Sequence, residues 1–134
     1  MQHQHVNPAG LLKLDGFTQV VVASGKRTAY IAGQVAVDEH MNLTGKGDYF
    51  EQSVSALRNL ATAVKAVGGT PEQIVTSTVY LKELTLEVTG LFTRALAVAL
   101  DGAAFPAHAF SLIGVHSLAS PDLLVEISAV AVFD

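Results

Sequence analysis

An α+β sandwich, one mixed β-sheet with two helices on one face, is the fold this sequence predicts, and three patterns predict it. Strand-like and helix-like segments follow in the order strand, strand, helix, strand, helix, strand, strand. Two apolar stripes recur at helical spacing, so each helix has one face to bury. Residues 124–133 are apolar at both strand parities, except at Glu126 and Ser128. The sheet therefore carries apolar side chains on the face the helices leave open, and that face calls for a second cover.

Each element has its own local reason. Residues 1–16 contain Pro8, Gly10 and Gly16 and read as an irregular arm. Residues 17–23 (FTQVVVA) and 28–36 (TAYIAGQVA) read as two strands of a hairpin. Ser24-Gly25-Lys26-Arg27 is the turn between them, with Gly25 free to take positive φ and the two basic residues solvated. The polar stretch from Asp38 to Gly47 is a loop. Phe50, Val54, Leu57, Ala61 and Val64 then form one helical stripe, and Gly68-Gly69 ends that helix. Residues 73–82 alternate as a strand. Thr85 is the N-cap of a second helix with its stripe on Val88, Leu91, Phe92, Ala95, Leu96 and Ala99, closed by Asp101-Gly102. Phe105-Pro106-Ala107 is an extended linker that delivers His108 to a strand over 109–116. A last strand opens at Leu124-Val125-Glu126-Ile127-Ser128.

Composition limits the function classes. The 134 residues suit one domain, 1–134, with no internal boundary or repeat. Half of them are hydrophobic, more than a lone domain of this size hides, so a large subunit interface is expected. The net charge is −4 and no basic block exists, which argues against nucleic-acid binding. Cysteine is absent, excluding disulfides, thiolate metal sites and a cysteine nucleophile. No apolar run has the roughly 20 residues of a membrane span, and the start lacks the pattern of a signal peptide. A cytoplasmic location is expected. His3 and His5 read as solvated residues of the arm.

The residues that bear chemistry are few. His108 opens one strand and Glu126 lies in the next, an arrangement expected to bring both toward one cleft as catalytic residues, His108 contacting a polar or anionic group of the ligand and Glu126 acting as a carboxylate base. A carboxylate among valine, leucine and isoleucine must be paired, hydrogen-bonded or protonated. Gly33 interrupts a strand, where glycine often marks a bulge or the close approach of a ligand or backbone.

Several motifs, in this order and spacing, make the chain resemble the RidA/YjgF family: Ile31-Ala32-Gly33-Gln34-Val35, the helix end Val67-Gly68-Gly69, Val79-Tyr80-Leu81, Phe105-Pro106-Ala107 and Val125-Glu126-Ile127. The resemblance runs from about Phe17 to Phe133. It implies a chorismate-mutase-like fold and a homotrimer with small-molecule clefts between subunits. Active members hydrolyse 2-imino acids to 2-keto acids and ammonia without metal or cofactor. By position, the resemblance implies a site of Phe17, Gly33, His108, Phe110 and Glu126. Glu126 matches the glutamate that positions the attacking water. His108 stands where the family's deaminases carry an arginine that clamps the substrate carboxylate, Phe17 where they carry a tyrosine, and Ser128 where a second glutamate is common.

An arginine is always charged and grips a carboxylate through two parallel N–H bonds, whereas histidine is mostly neutral at pH 7. The resemblance, read with this departure, implies a RidA-like protein that is a weak 2-imino-acid deaminase and hydrolyses an imine, an enamine or a related small metabolite. The alternative is a trimer that binds a metabolite without turning it over. A ribonuclease label is also attached to the family, and the acidic charge argues against that activity here.

Overall fold

Alternating and β-branched residues in four segments pair into one sheet, and two amphipathic helices cover it. The structure, a computed structural model, describes residues 3–134. In chain order the elements are β1 (Gln4–Val6), β2 (Val20–Val22), β3 (Arg27–Gln34), α1 (Tyr49–Ala66), β4 (Ile74–Lys82), α2 (Leu86–Val98), β5 (Ala109–Val115) and β6 (Val125–Phe133). The main sheet has the order β3–β6–β4–β5. β6 is antiparallel to both β3 and β4, and β4 is parallel to β5. A parallel neighbour needs a crossover, and α2 supplies it.

The helix starts obey capping chemistry. Asp48 caps α1 by accepting from the Glu51 backbone N–H, and Thr85 caps α2 by accepting from that of Val88. Arg27 is more than a solvated turn residue. Its guanidinium donates to the Val67 carbonyl at the end of α1 and lies 4.7 Å over the Phe133 ring, where a cation suits the negative end of the helix.

The core lies between helices and sheet. Leu57, Leu60 and Val64 of α1 and Phe92 and Leu96 of α2 pack on Val79, Leu81, Val125 and Ile127. Residues of the other parity, such as Tyr30, Thr78, Glu126, Ser128 and Val130, face away from the helices. No element covers them among the described residues, and Tyr30 is 82 % exposed. The apolar open face read from residues 124–133 is therefore present.

Two expectations for the N-terminal third are corrected. The arm is not wholly irregular, because Gln4–Val6 forms β1 and pairs antiparallel with β2. His3 and His5 help hold it: His3 Nε2 lies 2.8 Å from the Val132 carbonyl and His5 Nδ1 lies 3.0 Å from the Thr18 hydroxyl. Consequently the expected hairpin of 17–23 with 28–36 does not form, since the partner of β2 is β1 and that of β3 is β6. Gly25 has no positive φ. It is required for closeness, as a Cβ there would stand 2.9 Å from the Phe133 backbone.

Candidate functional site

The strand parity that builds the core also divides the expected site residues into two groups. Ser77 of β4 faces the helices and is the register partner of Phe110 in β5. Beside it His108 is buried, at 2 % exposure. Its ring lies 5.5 Å from Phe110 and 5.7 Å from Phe105, while Phe17 meets Phe110 edge-on at 5.2 Å. Phe110 also reaches Phe92 of α2, at 6.1 Å. Phe17 is placed by the backbone, through a bridge to His108 and a bond from the Thr18 N–H to the His108 carbonyl. Phe17, His108 and Phe110 thus come together as one aromatic cluster on the helix side.

Both His108 ring nitrogens are used inside the chain. Nδ1 is 2.9 Å from the Pro106 carbonyl, and a carbonyl only accepts, so Nδ1 carries the proton. Nε2 of the neutral ring then accepts from the Ser77 hydroxyl at 2.7 Å. Burial pushes the imidazole below the ordinary histidine range and nearby His5 adds to that, against the opposing pull of the Pro106 bond. His108 is therefore a neutral strut with no ring nitrogen free for a ligand.

Glu126 belongs to the other parity. It pairs in register with Tyr80 and faces away from the helices. The expectation that His108 and Glu126 approach one cleft does not hold within the chain, because they occupy opposite faces of the sheet. Glu126 is also half-buried, not enclosed. The structure joins it instead to Gly33. Between the pairs Ile31–Ala129 and Gln34–Ile127, β3 carries one residue more than β6, a bulge at Ala32-Gly33. The Glu126 side chain lies against this bulge, and a Cβ built on Gly33 would stand 2.6 Å from its carboxyl carbon. Gly33 and Glu126 share a cavity of about 330 Å³ with Val35, Val37, Met41, Leu43 and Leu123.

A residue that the sequence reading missed ties down one wall of that cavity. Gln52 of α1 is fully buried. Its amide N–H₂ donates to the carbonyls of Gly45 (3.2 Å) and Asp122 (2.9 Å), and its carbonyl accepts from the Leu124 N–H at 2.9 Å. The signal was present, since Gln52 stands four residues before Ala56 on the buried stripe of α1.

Gly33→Ala tests the contact directly. Gly33 has no positive φ, so alanine fits the backbone, but the Glu126 carboxylate must swing away. We expect a stability change within about 1 kcal/mol together with loss of any ligand binding or turnover that uses Glu126. Denaturant titration beside a binding assay checks this.

A two-helix layer on a β3–β6–β4–β5 sheet, with a bulged glycine under a strand glutamate, makes this a small α+β protein with a cavity beside the bulge. A family model described as endoribonuclease L-PSP matches residues 11–133. A RutC family protein of Synechocystis, slr0709, is 32 % identical over 119 residues, covering 87 % of this chain and 85 % of that protein. Among solved structures, a protein of unknown function of the conserved Rid family, YyfB from Yersinia pestis, superposes with a TM-score of 0.86 at 30 % identity, covering 99 % of this chain and 100 % of that one. Rv2704 of Mycobacterium tuberculosis, a member of the YjgF/YER057c/UK114 family, superposes with a TM-score of 0.62 at 26 % identity, covering 88 % and 87 %. This chain belongs to the endoribonuclease L-PSP family, the RidA/YjgF proteins, and it has their chorismate-mutase-like fold.

Proposed function

We propose that this RidA-like protein forms a homotrimer through its open sheet faces, with a small-molecule cleft at each subunit interface. In that cleft the Gly33–Glu126 cavity of one protomer meets the aromatic edge around Phe17 and Phe110 of the next. The two groups lie on opposite faces of one chain, so only assembly can join them. Tyr30, Val130 and Ile113 (41 % exposed) support the assembly as an apolar surface without a cover.

The reaction is hydrolysis of a small imine or enamine tautomer. Water adds to the carbon of the C=N bond while Glu126 accepts one of its protons. The nitrogen takes up a proton, and collapse of the carbinolamine releases ammonia and leaves a carbonyl compound. The bare Gly33 backbone lets substrate approach closely. The observation that carries the reading is the pair of bonds from His108 to Pro106 and Ser77, which use both ring nitrogens where deaminases of the family have their arginine clamp. A 2-imino acid therefore finds Glu126 but no carboxylate grip. Loss of a bidentate grip of about 2–4 kcal/mol corresponds to roughly 30- to 1000-fold in rate. Ammonia release from 2-iminopropanoate should be slower by that range than in an arginine-bearing relative, and an equal rate would refute the reading. A cytoplasmic location accords with the absence of cysteine and with no helix among the described residues being long and apolar enough to cross a membrane.

The aromatic cluster favours a second reading. With His108 buried as a neutral strut, half-buried Phe17 and Phe110 at the edge of the cluster suit a trimer that holds an apolar metabolite against their outer faces without turning it over. Saturable binding with no ammonia release from any imine tried would select it.

A further inference from the structure

We infer that the Gly33–Glu126 cavity takes a small organic cation, an iminium or ammonium ion on a branched aliphatic body, and rejects carboxylate-bearing ligands. The inference rests on the proposed small-molecule cleft and specifies its ligand.

Charge is the first argument. Of the residues lining the cavity, only Glu126 and Asp122 are charged, and both are acidic. A ligand carboxylate would lie beside the Glu126 carboxylate with no cationic side chain in the cavity lining to offset it, and half-buried surroundings screen such repulsion less than bulk water does. An N–H⁺ group meets the opposite field, and its bond to a carboxylate is charge-assisted.

Shape is the second argument. Val35, Val37, Met41, Leu43 and Leu123 supply apolar walls suited to an aliphatic body. The rims are fixed before any ligand arrives. Met41, 74 % exposed at the mouth, has a φ of 67°, a left-handed conformation that costs a non-glycine residue energy. Asp38 holds the loop in that shape. Its Oδ1 accepts from the backbone N–H groups of His40 (2.8 Å) and Asn42 (2.9 Å), and its Oδ2 accepts from the Asn42 side-chain amide (3.0 Å). Gln52 holds the facing wall through Asp122 and Leu124. A strained, tied-down backbone that holds an exposed methionine beside a cavity is an arrangement for contacting a ligand, since methionine adapts its shape to apolar groups.

The test uses isobutylamine and isobutyrate, which share a carbon skeleton and carry opposite charges at pH 7. Met1 and Met41 are the only methionines, so methyl-labelled methionine gives two NMR signals that a Met41→Leu variant assigns. Isobutylamine should shift the Met41 methyl saturably in the full-length protein, and isobutyrate should leave it unmoved at the same concentrations. Glu126→Gln should weaken isobutylamine binding about tenfold, the loss expected for one charge-assisted bond. An equal or stronger shift with isobutyrate would overturn the inference about charge while leaving the cleft in place. No shift with either compound would overturn the cleft and the inference together. Unchanged affinity in Glu126→Gln would remove Glu126 as the recognising group.

Discussion

Replacing His108 with alanine should cost about 2–4 kcal/mol of stability, measured by denaturant titration. The variant removes a ring packed against Phe105 and Phe110 and strips the Ser77 hydroxyl and Pro106 carbonyl of their partner. The same strut predicts a pH dependence. The folded state holds His108 neutral with its pKa below the ordinary value, so below about pH 6.5, the unfolded value, the unfolded chain binds the extra proton. The stabilisation is complete above pH 6.5 and is lost as pH falls toward the folded pKa, by at most about 1.4 kcal/mol per unit. His108→Ala should lack that component of the acid slope. His108→Arg should not restore a clamp, because Phe17, Phe105 and Phe110 fill the space around the ring; a rise in 2-iminopropanoate turnover would contradict this packing account.

Val130→Arg should dissociate the assembly with little effect on the fold of one protomer. Val130 lies on the open face, opposite Tyr30 in the β3–β6 register and beside Thr76 in the β4–β6 register. In the proposed trimer each copy would carry a new unpaired cation into an apolar contact, a cost of several kcal/mol per interface. Light scattering should give a trimer mass for the unmodified protein and a protomer mass for Val130→Arg. A protomer mass for the unmodified protein would remove the inter-subunit cleft, and the joint roles of Phe17, Phe110, Gly33 and Glu126 with it.

Local signals in the sequence were enough for the helices and the main strands. The α1 stripe and the alternation of residues 73–82 each state a period that only one kind of element satisfies, and the Thr85 cap marks where α2 begins. β1 was not legible, because Gln4-His5-Val6 has no alternation of its own and becomes a strand only against β2. Pairing was the general blind spot: an apolar run such as 17–23, of which only Val20–Val22 becomes a strand, does not say which strand lies beside it. The site suffered from the same gap. Gly33 and Glu126 were both visible, yet nothing local says that a bulge lays one on the other. Likewise, the opposite facing of His108 and Glu126 follows from the register of β4 with its two neighbours, which is a non-local property.

The central claim, that the clamp position holds a neutral strut, is tested most directly by ¹⁵N NMR of the His108 ring. The account predicts one neutral tautomer, protonated on Nδ1, that persists as pH falls through 6.5 and is unmoved by 2-iminopropanoate. A ring that is cationic at pH 7, or one that shifts when 2-iminopropanoate is added, would contradict it.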